Sequence, residues 1–315
     1  MEADIAISRD IPDYFSQFIA SYWGDEGSTW LGALPTLLAE YAARWHLTLL
    51  APFSSLTFNF VAPVTRSDGS AAVLKAGVPR DEIETEIAAL RLVDGQGMVH
   101  LLEADPPRGV MLLERALPGA PLARMDDDDQ AIAIAAGVMR ALWRPAPDPS
   151  PFPTVAGWLR TFDRLRATYG GSAGPLPEAA LARAETLSRD LLASAPAQPM
   201  LLHGDLHQDN IASAERMPWL VIDPKGVTGD PCYEVGALLN NPYHRVMAWP
   251  RAEWPGRMAR RVDILAERLG FPRERIVAWG VTQATMSAAW GIEDGEDDGR
   301  WPDRIARADA LAALL

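Results

Sequence analysis

Cysteine is nearly missing from this chain: Cys232 is the one example in 315 residues. An internal disulfide and a cysteine-rich zinc site are thereby excluded, which fits a reducing compartment and leaves Cys232 a buried, small-residue role. Basic charge is also short, with 29 Lys and Arg against 42 Asp and Glu and a net charge of −13. This argues against a nucleic-acid partner, which requires a basic face for the phosphates, while a cationic small substrate suits the sign. No apolar run reaches the roughly 18 residues of a membrane span. The first ten residues, MEADIAISRD, are acidic where a secretion signal would carry Lys or Arg. A cytoplasmic chain with no membrane partner is expected, and the composition leaves its oligomeric state open.

Internal repeats are absent too, and low complexity is confined to short stretches such as the Asp run 126–129. That run directly precedes the apolar-periodic segment QAIAIAAGVMRALW, so it reads as a helix N-cap with favourable first-turn charge. In the first third, LTLLAPF (47–53), LTFNFVAPV (56–64), AAVLKAG (71–77), MVHLLEAD (98–105) and GVMLLERA (109–116) have strand character. The turn signals RSDGS (66–70) and DPPRG (105–109) separate them, which predicts an antiparallel sheet of hairpins. Between the third and fourth strands, DEIETEIAALRLV (81–93) places Ile83, Ile87 and Leu90 at helical spacing with acidic residues on the other face. From about 127 onward helices are predicted at 127–143, 154–169, 177–194, 231–240, 256–269, 273–292 and 303–315. RPAPDPSPFP (144–153) holds five prolines and predicts a rigid connection. In this helical part only PMLLHGDL, NIAS and WLVID read as short strands. A sheet-rich front and a helical back, joined near 114–118, make a two-lobed α+β architecture.

Those short strands carry the chemistry. Met200, Leu201 and Leu202 lead into HGDLHQDN (203–210), and Trp219 to Ile222 lead into Asp223. A carboxylate at a strand exit, an amide five residues on and a second carboxylate at another strand exit form a set that phosphoryl transfer uses: one group takes the hydroxyl proton, two hold Mg²⁺ on the phosphates. A second reading takes His203, Asp205, His207 and Asp223 as ligands of a transition metal in a hydrolase. It needs further His ligands, and only His46, His100 and His244 remain. A third is a catalytically silent nucleotide-binding module.

HGDLHQDN followed by VIDPKGVTGDPCYEVGALLNNP resembles the catalytic segment of the aminoglycoside phosphotransferase family. The DPKG tetrapeptide and LLERALPG point to its streptomycin 6-kinase and hydroxyurea phosphotransferase branch. The similarity extends over roughly residues 30–300 and is most specific over 200–242. It implies a bilobal protein-kinase-like fold, with a nucleotide-binding lobe and its N-terminal extension over 1–115 and a catalytic, substrate-binding lobe over 116–315. It implies ATP and Mg²⁺ as cofactors and Asp205 as the base, with Asn210 and Asp223 coordinating the metal. His203 would brace the loop, and His207 is either a solvated loop residue or a functional one. Lys75 would neutralise the α- and β-phosphates, aligned by Glu86 in preference to Glu82 and Glu84. The backbone of Glu114 and Ala116 would meet adenine.

Two departures stand out. The hairpin expected to cover the nucleotide, PFSSLTFNFV, has no glycine, so Ser54 and Ser55 are left to admit phosphates. Glu234, in CYEVGALL, stands where many relatives have Asp as the anchor of the catalytic loop. Lys225 either contacts a phosphate, balances the clustered carboxylates or is a surface charge, and Asp230 is expected to cap a helix begun by Pro231. The resemblance implies that Glu293, Asp294, Glu296 and Asp297 of the acidic turn GIEDGEDDGRWPD (291–303) meet the ammonium or guanidinium groups of an aminoglycoside acceptor, while the residues by themselves read equally as a solvated acidic turn.

Overall fold

The computed structural model describes residues 11–295 and 300–315. The chain divides into two compact units, the first ending at Leu117 and the second beginning at Pro118.

The first unit opens with a helix that the sequence reading left unassigned, α1 (Asp13–Arg44), bent at Gly24, whose φ of 57° and ψ of −130° leave the helical region. Five strands follow: β1 (Leu47–Leu49), β2 (Asn59–Arg66), β3 (Ala71–Gly77), β4 (Leu101–Asp105) and β5 (Val110–Glu114). They form one antiparallel sheet in the order β1-β2-β3-β5-β4. The period-two rule assigns its faces. Phe60, Ala62 and Val64 of β2 lie opposite Ala76, Leu74 and Ala72 of β3, and all six pack with Phe15, Ile19, Leu34, Leu38 and Tyr41 of α1 in one core. Lys75, between Leu74 and Ala76, therefore points to the other face. There it meets α2 (Asp81–Val93), whose buried stripe is Ile83, Glu86, Ile87, Ala89, Leu90 and Val93. The expected hairpins and helix are thus present, with β1, β4 and β5 shorter than their apolar segments and β2 shifted toward Arg66.

The second unit is mainly helical. α3 (Asp128–Leu142) begins as the Asp run predicts, with the Asp127 side chain accepting the Gln130 amide. The proline-rich connection contributes the two-residue strand β7 (Arg144–Pro145) before the chain turns. The helix expected over 154–169 divides at Arg160 into α4 (Val155–Leu159) and α5 (Thr161–Thr168), and α6 (Glu178–Ala193) follows. Two three-stranded sheets hold the motif residues. In one, β6 (Pro118–Pro121) and β10 (Trp219–Val221) flank β9 (Ile211–Ala214); in the other, β7 and β11 (Val227–Gly229) flank β8 (Met200–Leu202). Asp230 then caps a 3₁₀ turn, Pro231–Glu234, which runs into α7 (Val235–Asn240). After α8 (Tyr243–Ala248) and α9 (Trp254–Leu269) comes α10 (Arg273–Glu293), buried on nearly every side from Ile276 to Ala289 and so the central helix of the unit. α11 (Trp301–Ala312) packs against it. Among the described residues no helix is long and apolar enough to cross a membrane.

A buried ion pair joins α9 to the start of α3. Arg261 is fully buried; its Nε and Nη2 donate to Asp128 at 2.8 and 2.7 Å, and its Nη1 donates to the carbonyls of Leu239 and Asn241 at 2.9 and 2.6 Å. Removing Arg261 would leave Asp128 only its longer contact with Arg245, at 3.4 Å, in a partly buried place. Arg261→Met is expected to cost about 3–5 kcal/mol in chemical denaturation; a loss below about 1 kcal/mol would show that the pair does not hold these helices.

Candidate active site

The HGD loop leaves β8 through a turn that only glycine can make. Gly204 has φ of 92°, and a Cβ there would lie 2.8 Å from Cη2 of Trp158, 3.1 Å from Cγ1 of Val227 and 3.2 Å from Cβ of Lys225. Both oxygens of Glu234 hold this turn: Oε1 accepts the Gly204 amide at 2.7 Å and Oε2 the His203 amide at 3.1 Å. Glu234, where the resemblance leads one to expect Asp, therefore reaches two backbone donors. Burial pushes its carboxyl up to about 7; the two amides pull against that shift and the Asp205 charge adds to it.

His203 braces the loop. Its Nε2 lies 2.9 Å from the Ile222 carbonyl and its Nδ1 accepts the Asp205 amide at 3.2 Å, an arrangement that fixes the neutral tautomer protonated on Nε2. Burial agrees, holding this imidazole down to about 4. Its carbonyl accepts the amides of Lys225 and Gly226 at 2.8 and 3.2 Å, locking DPKG onto HGD.

Asp205 follows with a side chain that is 43 % exposed. Asn210 ties the two strand exits: its Nδ2 donates to the Asp205 carbonyl at 2.9 Å and its own carbonyl accepts the Ile222 amide at 3.0 Å, one residue before Asp223. Since Nδ2 is committed, Oδ1 is the atom that Asn210 can turn to a cation. Asp223 has a left-handed backbone, φ 60°, and its Oδ2 takes a 2.9 Å bond from Lys225 Nζ. One amide oxygen and one carboxylate are hard donors of the kind Mg²⁺ takes together with phosphate oxygens and water. Among the described residues no three His, Cys, Asp or Glu side chains gather to hold a metal, and both ring nitrogens of His203 are engaged, so the transition-metal reading has no ligand set. His207 lies between Asp205 Oδ2 at 3.7 Å and Asp209 Oδ2 at 3.6 Å. Burial lowers its pKa, but the carboxylates of Asp209, Asp205 and Asp223 outweigh that and leave the ring titrating above its ordinary value.

In the first unit the lysine expected to meet phosphates is paired as predicted. Lys75 Nζ lies 2.7 Å from each oxygen of Glu86, and both residues are 5 % exposed. Ser54 and Ser55 are exposed in the β1–β2 loop. The amide of Glu114 donates to the His100 carbonyl at 2.8 Å, and Ala116 follows half-buried beyond the end of β5. Of the acidic turn, Glu293 is taken up by Thr161 at 2.8 Å and by Arg164 at 3.0 and 3.1 Å, and Asp294 caps α10 in the open. Glu296 and Asp297 lie outside the described residues. Two contributors escaped the sequence reading: Trp158, whose indole fills the space under Gly204, and Tyr14, whose hydroxyl bonds to the backbone around Ser55.

Comparisons with known proteins give the family and the fold. The model of a family described as aminoglycoside/hydroxyurea antibiotic resistance kinase matches residues 44–295. The streptomycin 6-kinase of Streptomyces glaucescens is 36% identical over 296 residues, 91% of this chain and 92% of that protein. The hydroxyurea phosphotransferase of Kitasatospora aureofaciens is 35% identical over 305 residues, 91% of this chain and 82% of that protein. A solved structure of a thermostable mutant of aminoglycoside phosphotransferase APH(4)-Ia, with ADP and hygromycin B, shares the fold at a TM-score of 0.62 and 15% identity, covering 87% of this chain and 97% of that one.

The loop geometry carries two expectations. Gly204→Ala forces a Cβ into Trp158 at a backbone angle that alanine rarely adopts, for a cost of roughly 2–4 kcal/mol by denaturation. Glu234 binds its proton more tightly folded than unfolded, so its contribution to stability declines as pH rises from its ordinary carboxylate range to about 7. Melting curves across pH 5–8 are expected to show that decline in the wild type and to lose it in Glu234→Gln; identical profiles would mean that the carboxyl is not so placed.

Proposed function

The chain belongs to the aminoglycoside/hydroxyurea antibiotic resistance kinase family, and on that premise we propose that it transfers the γ-phosphoryl group of ATP to a hydroxyl of a streptomycin-like aminoglycoside. It is a small-molecule kinase. The observation that carries the reading is the exposed Asp205 carboxylate on a loop that Glu234 and His203 hold, tied by Asn210 to the strand exit that ends in Asp223. Protein-kinase-like enzymes work by placing groups and balancing charge, with little covalent chemistry of their own.

In this reading Asp205 orients the acceptor hydroxyl and takes its proton as the oxygen attacks the γ-phosphorus in line. The bond to the β–γ bridging oxygen breaks and ADP leaves. Asn210 and Asp223 would hold Mg²⁺, which neutralises charge on the phosphate oxygens. Lys75, kept straight by Glu86, neutralises the α- and β-phosphates, while the backbone carbonyl of Glu114 and amide of Ala116 meet adenine. A net charge of −13 favours a cationic acceptor such as an aminoglycoside, and ATP as donor fits a cytoplasmic enzyme. The likeness to hydroxyurea phosphotransferase favours hydroxyurea as the second acceptor to test.

A coupled ADP-release assay with streptomycin, other aminoglycosides and hydroxyurea tests the acceptor. Turnover is expected with streptomycin; turnover with hydroxyurea alone would select the second reading. Asp205→Asn is expected to lower kcat by about 10²–10⁴ while ATP binding, measured by calorimetry, stays within twofold. Unchanged turnover would remove Asp205 from the role of base.

A further inference from the structure

The loop between β1 and β2 has no glycine from Leu50 to Phe60, so nothing in its own sequence frees its backbone to fold around a phosphate. It is held from outside. Its first arm is joined to β2 by the amides of Leu50 and Phe53, which donate to the carbonyls of Pro63 and Val61, each at 3.0 Å. The tip is held by α1: the Tyr14 hydroxyl donates to the Ser54 carbonyl at 3.0 Å and accepts the Leu56 amide at 2.9 Å. One oxygen thus closes a bridge across Ser55, using both its donor and an acceptor lone pair. Tyr14 is 46 % exposed, and the next residue, Phe15, is fully buried against Trp30 and Phe60, which anchors the helical turn that carries the phenol. One and two turns on, Phe18 and Tyr22 meet the Phe58 ring at 5.2 and 4.9 Å and fix the far side of the same loop. Ser55, between the two bridged groups, is exposed, and its amide and hydroxyl make no hydrogen bond among the described residues.

We propose that Tyr14 is a positioning residue for the nucleotide: its hydroxyl holds the Ser54–Leu56 backbone so that Ser55 offers its amide and hydroxyl to a phosphate oxygen of ATP. The proposal rests on the kinase reading above and adds a residue from a helix that carries none of the motif residues. Two neutral hydrogen bonds order three residues before ligand arrives, so the ordering cost is not charged to binding. Glycine-rich loops reach phosphates by being free to bend; this loop reaches them by being held, with serine as the small residue that admits close approach.

Tyr14→Phe keeps the ring and deletes the hydroxyl. The Kd for ATP and for ADP, measured by calorimetry without acceptor, is expected to rise about 5- to 20-fold. KM for ATP rises in step, kcat and the acceptor KM stay within twofold, and amides 54–58 exchange hydrogen faster. Ser55→Ala, which removes a ligand contact and leaves the bridge, raises the ATP Kd with no change in exchange at 54–58. Faster exchange in Tyr14→Phe with wild-type ATP affinity would make the bridge a stability contact only and overturn the proposal; unchanged exchange would overturn it at the loop itself. A wild-type chain that binds neither nucleotide would sink the kinase reading and this proposal together, whereas wild type and Tyr14→Phe binding ATP equally well would sink the proposal alone.

Discussion

Both oxygens of one buried carboxylate, that of Glu234, decide where the HGD turn sits, and the second unit's chemistry depends on that placement. Two charge-assisted bonds to backbone amides favour the ionised form. Burial in a site from which water is shut out disfavours it, and burial wins, since the group's pKa rises to about 7. The contact is thus a poor way to gain stability and a good way to fix geometry. The 3₁₀ turn Pro231–Glu234, set by the Asp230 cap, places this carboxylate within reach of both amides.

Lys75 and Glu86 make the matching case in the first unit. A lysine and a glutamate, each 5 % exposed, lose hydration that their attraction only partly returns, so an apolar pair of the same volume would serve the fold at least as well. The sheet has a complete apolar core on its other face, against α1, and does not need the ion pair to close. A charged pair where packing does not call for it suits the phosphate role proposed for Lys75, since Glu86 is a strong partner 2.7 Å away.

The strength of each local signal decided how much could be read in advance. Helix α2 was legible to its ends, because DEIETEIAALRLV has one apolar stripe and acidic residues in its first turn, where the helix dipole favours them. β3 was legible because Ala71–Gly77 alternates against two neighbours. Helix α1 was not, since Gly24, Gly27, Gly32 and Pro35 punctuate it as loops are punctuated, and only tertiary burial of Phe15, Ile19, Leu34, Leu38 and Tyr41 makes it helical. The motif residues could be named from spacing and resemblance, as Asp205, Asn210, Asp223 and Lys75 were. The supports His203, Glu86 and Glu234 could be named the same way, but two others could not: Trp158 lies 46 positions before Gly204 in the chain and Tyr14 lies 40 before Ser54, and no local pattern links residues that only packing brings together.

The pattern His-x-Asp-x-His admits a metal site or a braced loop, and hydrogen bonding decides between them. A histidine that ligates a metal keeps one nitrogen for it and gives the other to an orienting acceptor. His203 spends one nitrogen on the Ile222 carbonyl and the other on the Asp205 amide, while its own amide goes to Glu234 and its carbonyl takes Lys225 and Gly226. Every polar atom of this residue is therefore occupied in joining one strand exit to the other. HGDLHQDN and VIDPKG work as one unit for that reason: the left-handed turn at Asp223 and the glycine turn at 204 are held against the same buried imidazole, and the carboxylates of Asp205 and Asp223 are left at its edge, with His207 feeling the charge of both.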